Sequence, residues 1–341
     1  MSLTSVLTFL YSQLFVSLPY PKTSYAGKTI IVTGANVGLG KEAARHYARL
    51  GASKLILAVR SLDKGATAKH DIETSLPLNS CKPGTIEVWH LDMADYDSVL
   101  AFAARAATTL DRLDIVIANA GVAATTFRLT ARGDEESLAV NVIGTFLLAA
   151  ALMPTLKSTA SKHAGTLPVF SVISSEMYAY AAATFTHVSF PDGAILSTLS
   201  DKTANANSSP AAFQGRYPLT KLLEVYGVRA LAEAHPAPPY PVVVNYVNPG
   251  LCKTELGREV MAWPFILMRM ALGRTAEQGS RTLVHAGDQG VESHGRYLSD
   301  CRVQEPVAAV TGADGRVAQE RVWAEIVRKL EEIRPGVMRN F

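Results

Sequence analysis

The 341-residue chain is poor in cysteine, in charge and in long apolar runs, and each scarcity excludes something. Cys81, Cys252 and Cys301 are odd in number, far apart and form no C-x-x-C pair. That usage fits reduced thiols in an intracellular protein and gives no disulfide framework. The histidines fall into no H-E-x-x-H or comparable ligand spacing, so no metal is expected. Charged residues make up only 18% of the chain, with a net charge of +3 and no basic block or stripe, which sets nucleic acid aside as a partner.

The first eighteen residues carry no charge at all. Leu3, Val6, Leu7, Leu10 and Leu14 mark one apolar helical face, while Ser5, Thr8, Ser12 and Gln13 interrupt the rest. Pro19 and Pro21 end this stretch short of the roughly 20 apolar residues that a membrane span needs. No cation precedes Lys22, where a secretory signal would carry one. Residues 1–26 therefore read as an N-terminal helical extension packed on the domain or on a neighbouring subunit. Weak membrane-surface contact through residues 1–18 is the alternative, and a location that is cytoplasmic, or cytoplasmic and peripheral to a membrane, is expected.

What the chain does have is apolar substance, 48% of its residues, enough for a substantial core. Thr29–Val32, Lys54–Val59, Ile86–Leu91, Asp114–Ala118, Val169–Ile173 and Val242–Val247 read as strands. Helix-length segments separate them, among them the stretch after Gly40, Asp95–Leu110, Leu138–Leu152 and Leu219–Ala234. That alternation implies right-handed crossovers and an α/β fold: a single Rossmann-like, doubly wound parallel sheet with helices on both faces. One domain is expected over residues 1–341, with a surface loop inserted at 184–214, a lid at 251–273 and a C-terminal extension at 303–341. A last helix is predicted over Val317–Ile333.

Gly34, Gly38 and Gly40 lie between the first strand and the first core helix. In that context glycines permit a tight turn and let a pyrophosphate approach the backbone N–H groups at the helix start. At the end of the second strand, sheets that bind NAD usually place an acidic residue for the ribose 2′-OH. Here Val59 is apolar and Arg60 follows, with Lys64 nearby, so a 2′-phosphate is favoured and the expected cofactor is NADP(H). Asp92, ending the third strand, could accept a bond from the adenine amino group or simply cap the next helix.

Tyr217 and Lys221 are spaced one helical turn apart. Hydride delivery to a carbonyl builds negative charge on oxygen and calls for a nearby proton donor. A free phenol, with a pKa near ~10, holds its proton too tightly for that task. The Lys221 ammonium, together with an oxidised nicotinamide, would draw the phenol toward neutrality.

The turn Thr33-Gly34-x-x-x-Gly38-x-Gly40, then Asn119-Ala120-Gly121, Asn141, Ser174-Ser175 and Tyr217-x-x-x-Lys221, occur in the order found in the short-chain dehydrogenases/reductases. The chain resembles that family over about residues 27 to 300. Thr33–Lys41 and Ala58–Gly65 are similar to its retinol-dehydrogenase-like branch, especially the fungal reductases of secondary metabolism. The resemblance implies that Asn141, Ser175, Tyr217 and Lys221 are catalytic. Ser175 would hydrogen-bond the substrate oxygen, with Ser174 as the fallback, and Asn141 would hold a water linking Lys221 to solvent. It implies cofactor contacts from Gly34, Asn36, Val37, Gly38, Leu39, Gly40, Arg60, Lys64, Asp92, Met93, Asn119, Ala120 and Gly121. Tyr217, then Lys221, which would also bind the nicotinamide ribose hydroxyls, and Pro249, Gly250 and Thr254, after the sixth strand, complete that set. One departure is the connection between Ser175 and Tyr217, longer than the family commonly has.

Substrate specificity is expected from Ser175, Met177, Tyr178, Leu256 and Trp263. Leu256–Leu272 is rich in Met and aromatic residues, and reads either as an apolar lid or as a plain core helix. The implied reaction is reduction of a ketone or aldehyde on a bulky hydrophobic small molecule, or the reverse oxidation. An NADP(H)-sensing protein without turnover, an isomerase and a C=C reductase are the rival readings. A homo-oligomer is the default expectation.

Overall fold

β-Branched and aliphatic runs too short for helices, bounded by turns, become the strands of one sheet. The computed structural model describes residues 3–77, 81–185, 187–205, 213, 215–257 and 263–341. The strands are β1 (Thr29–Thr33), β2 (Lys54–Val59), β3 (Ile86–His90), β4 (Ile115–Ala118), β5 (Val169–Ile173), β6 (Val243–Asn248), β7 (Tyr297–Ser299) and β8 (Arg302–Gln304). Their spatial order is β3-β2-β1-β4-β5-β6-β7-β8. Pairing is parallel throughout except for β7 with β8. β1, β2, β4, β5 and β6 are buried along nearly their whole length, as strands covered on both faces must be. Strand order reverses between β1 and β4, and a crevice opens at such a switch point.

The main helices are α1 (Leu3–Phe15), α2 (Gly38–Arg49), α3 (Leu62–Ser75), α4 (Tyr96–Thr109), α5 (Thr145–Lys162), α6 (Met177–Thr184), α7 (Arg216–Ala234), α8 (Trp263–Leu272), α9 (Ala276–Gly287) and α10 (Ala313–Ile333). α4, α5, α7 and α10 bury their apolar sides on one face of the sheet. α2 and α9 cover the other with Tyr25, Ala43, Tyr47, Leu283 and Val284. The stretch Glu136–Lys162 is long and apolar enough to cross a membrane, yet it is largely buried inside the protein. Gly227 of α7 has no room for a side chain, because a Cβ there would lie 2.2 Å from the Phe146 ring of α5.

Ahead of α5 the chain makes a π-helical segment, Ala139–Gly144, which carries Asn141. π-Turns inside helices often mark functional sites. Gly144 permits this one, since a Cβ there would sit 2.4 Å from the Met93 carbonyl oxygen.

One expectation needs correction. The 184–214 segment is not merely an irregular surface loop. Its residues Ile195–Ser200 and Lys202–Asn205 are helical, and Ile195, Leu196 and Leu199 are buried. The Glu325 carboxylate of α10 accepts hydrogen bonds from the backbone N–H groups of Ile195 and Leu196, both at 2.9 Å, which ties the insertion to the C-terminal extension. Residues 206–212 and 214 of the same segment lie outside the described residues. The sheet is mostly parallel, as expected, and only its last pair runs antiparallel. β7 and β8 form a hairpin whose two turn residues, Asp300 and Cys301, have φ of 54° and 56°. A two-residue hairpin turn of this hand needs positive φ at both positions. Asn or Gly would normally signal it, and Asp-Cys did not.

α1 is held to the body of the protein. Ser12 Oγ donates to the Asp300 carboxylate at 2.7 Å, and Arg274 Nη2 donates to the Ser12 carbonyl at 2.9 Å and to Asp300 at 2.6 Å. Its other face leaves Leu7, Tyr11, Leu14 and Phe15 exposed.

Candidate active site

A cavity of about 320 Å³ opens at the carboxyl ends of the central strands. The glycine turn forms its floor. Gly34, with φ of 65°, donates its N–H to the Ala58 carbonyl and lies so close to β4 that a Cβ would meet Ala120 Cα at 3.0 Å. Asn119 Nδ2 donates to the Thr33 carbonyl at 2.9 Å, and Thr33 Oγ1 accepts from the Ala120 N–H at 2.8 Å. These bonds staple the Asn-Ala-Gly segment onto the turn. At the start of α2, Val37 offers no side-chain acceptor to the first-turn N–H groups. Those donors are suited to a phosphate.

Of the expected cofactor contacts, Gly34, Asn36–Leu39, Arg60, Lys64, Asp92, Met93, Asn119, Ala120, Gly121 and Thr254 line the cavity. Gly40 does not. It is a packing glycine, and a Cβ would meet Asn119 Nδ2 at 2.5 Å and the Gly34 carbonyl oxygen at 2.6 Å. At the β2 end the walls are Val59, Arg60, Ser61 and Lys64, with no carboxylate among them. Asp92 turns one oxygen to the Ala94 N–H at 3.0 Å, while the cap of α4 is Asp95. Thr254 closes the cavity from the loop after β6, its Cβ 3.6 Å from the Cβ position of Gly38. Pro249 and Gly250 are not in the wall. Gly250 instead accommodates the Arg274 guanidinium, where a Cβ would be 2.6 Å from Nη1.

The reacting end adjoins this cavity behind Gly121 and Val122. Asn141 Oδ1 accepts from the Val122 N–H at 2.9 Å. Its Nδ2 donates to the Val122 carbonyl and to Thr220 Oγ1, each at 2.9 Å. Lys221 Nζ lies 3.8 Å from the Cβ position of Gly121. It is buried and donates to the Ile173 carbonyl at 2.7 Å. Tyr217 is half-buried one turn earlier, its ring centroid 5.6 Å from Lys221 Nζ. Ser175 lies beside the phenol and favours its ionised form. Ser174 is buried and donates to the Lys221 carbonyl at 3.4 Å, so Ser175 is the serine turned toward Tyr217. Asn248 fixes this corner, accepting from the N–H groups of Glu176 and Gly250.

Sequence reasoning missed Glu224. One turn beyond Lys221 on α7, it is buried and accepts from Lys221 Nζ at 2.8 and 3.1 Å. An acidic residue among Leu222, Leu223 and Val225, at i+3 from a cation, was the available signal. Burial pushes its carboxyl up to about 7 against the pull of Lys221. Lys221 is held above its ordinary range, because Glu224 and Tyr217 outweigh its burial. Tyr217 is subject to opposing effects. Among the protein's own groups burial pushes the phenol up, Lys221 pulls it down and Glu224 pushes it up again, for a net rise.

The expected substrate contacts are only partly assembled. Met177 is exposed, and Leu256 lines the cavity. Tyr178 is in the core instead: its hydroxyl accepts from the Val307 N–H at 3.1 Å, and its ring packs edge-on against Tyr297. It lies on the inward face of α6, whose outward face carries Met177 and Tyr180. The side chain of Trp263 and residues 258–262 lie outside the described residues.

Comparison with known proteins agrees with this geometry. The short chain dehydrogenase family profile matches residues 28–194. Short chain dehydrogenase/reductase dmxR8 of Cryptosporiopsis sp. (strain 8999) is 56% identical over 98% of this chain and 99% of its own length. Short-chain dehydrogenase anuD of Penicillium roqueforti (strain FM164) is 38% identical over 98% of this chain and 85% of its own. A solved structure from Mycobacterium Paratuberculosis, 24% identical, superposes with a TM-score of 0.64 over 91% of this chain and 96% of that one. The chain belongs to the short-chain dehydrogenase/reductase family, and is thus an oxidoreductase built around a nicotinamide cofactor. The uncapped helix start, the positive-φ glycines and the cavity beside Gly121 suit such a dinucleotide.

Proposed function

We propose that the protein is an NADPH-dependent reductase of a ketone or aldehyde on a bulky, hydrophobic small molecule. The observation that carries this reading is the convergence of Ser175, Tyr217 and Lys221 just behind Gly121 at the cavity's end. A protein that only sensed the cofactor would need no acid there. Arg60 and Lys64 line the β2 end of the cavity, where no carboxylate joins the wall, and support NADP(H) over NAD(H) through charge attraction to a 2′-phosphate.

When bound, the reduced nicotinamide supplies the hydride. The residues do the rest. Ser175 would donate to the carbonyl oxygen and hold it beside the phenol. Tyr217 would pass its proton to that oxygen as charge builds there. Lys221 would stabilise the phenolate left behind and hold the cofactor ribose. Leu256 on the cavity wall supports an apolar substrate.

The test is NADPH oxidation with a panel of bulky ketones, wild type beside Tyr217→Phe. The expected outcome is a loss of kcat of about 10²- to 10⁴-fold with NADPH affinity retained. Tight NADPH binding without turnover on any carbonyl would instead support the sensor.

A further inference from the structure

We propose that Glu224 is a positioning residue for the Tyr217–Lys221 pair, holding the Lys221 ammonium charged and aimed at the cofactor wall while blunting its pull on the phenol. The proposal rests on the reductase reading and deepens it.

The geometry leaves Lys221 little freedom. One N–H is taken by the Ile173 carbonyl at 2.7 Å, and Glu224 takes another at 2.8 Å with its second oxygen at 3.1 Å. An ammonium has three donors, so one remains, on an atom 3.8 Å from the Cβ position of Gly121 in the cavity wall. The Ile173 carbonyl supplies a dipole but no charge. Lys221 and Glu224 sit on α7 among Leu222, Leu223 and Val225, all fully buried. A cation in such surroundings without a carboxylate gives up its proton. Glu224 is therefore what keeps Lys221 charged.

The same carboxylate opposes Lys221 at Tyr217. The titratable groups facing this cluster are Lys221 and Tyr217 on α7 and Cys252 from the loop after β6, while Asn141 and Ser175 are uncharged. The phenol thus keeps its proton until substrate and cofactor are assembled, which suits a proton donor in reduction better than a resting phenolate base. No bond forms or breaks in this role, and the proton stays within the cluster.

The test measures the NADPH dissociation constant by cofactor fluorescence between about pH 7.5 and 9.5 for wild type, Tyr217→Phe, Glu224→Gln and Glu224→Asp. Wild type and Tyr217→Phe should bind with a flat profile. Glu224→Gln should lose about tenfold in affinity across the window as Lys221 deprotonates, the effect of one pKa unit. Glu224→Asp, which restores the charge, should return the flat profile. A flat profile in a folded Glu224→Gln overturns the proposal. So does a wild-type or Tyr217→Phe profile that already falls through this window, a result that stands even if Glu224→Gln does not fold. Unchanged turnover in Tyr217→Phe would remove the reductase reading and leave this binding result intact.

Discussion

At the cofactor end, contacts are made by backbone: Gly34 against Ala120, open N–H groups at the head of α2, and a carbonyl stapled by Asn119. At the reacting end, centred on α7, they are made by buried side chains. Asn141 bonds to Thr220, and Lys221 to Glu224, in a region otherwise filled by leucine and valine. The difference teaches where each half is fragile. A backbone cradle tolerates changed side chains but not an added Cβ, whereas a buried charge cluster fails when one member is removed and its partner stays.

The sharpest way to break that contrast is Lys221→Met, which strands the Glu224 carboxylate in the core. Removing one partner of a buried pair costs about 3–5 kcal/mol. The cost must depend on pH. A carboxyl whose folded pKa is raised above its ordinary 4.5 adds no penalty below that value. Its penalty grows as pH rises toward the folded pKa, which is about 7 in the wild type and higher without the cation. Urea unfolding should therefore show Lys221→Met much weaker than wild type at about pH 8 and closer to it at about pH 5, because the unfolded chain releases the proton first. Equal losses at both would mean that the pair is not electrostatically coupled.

Gly40→Val examines the other half. Its φ is ordinary, so the cost arises from collision with Asn119 and the Gly34 carbonyl, about 3 kcal/mol at the upper end of overpacking. Thermal unfolding and NADPH binding should both suffer. A variant of normal stability would show the cradle to be looser than its distances say. The smallest effect is expected from Arg60→Asp, an exposed rim residue. It should weaken NADPH about tenfold, as loss of one charged hydrogen bond would. NADH affinity should hardly move, and equal losses for both cofactors would refute the 2′-phosphate assignment.

The same contrast explains what could be seen in the amino-acid sequence. Glycines between a strand and a helix report a backbone requirement directly, so the turn from Gly34 to Gly40 and strands β1 to β6 were legible. Gly40 and Gly250 show the limit, since their shared chemistry with cofactor-lining glycines hides a packing role. Glu224 was legible only as one polar residue in an apolar helix, and its importance depends on Lys221 turning inward. Tyr178 failed because sequence proximity to Ser175 does not say which face of α6 it occupies. Ile195, Leu196 and Leu199 carried a helical spacing that the surrounding Ser and Asn obscured. β7 and β8 are three residues each, too short for periodicity to emerge.

The Asp300 hairpin turn has a practical bearing on where this protein can be cut. The matched family stretch begins at residue 28, yet Ser12 shares Asp300 with Arg274, and Arg274 props the Pro249–Gly250 turn through a hydrogen bond to the Pro249 carbonyl. A version trimmed to the family boundary would leave that strut loose at its outer end and slacken the corner next to Thr254. The leading helix should therefore be treated as part of the catalytic machine's frame.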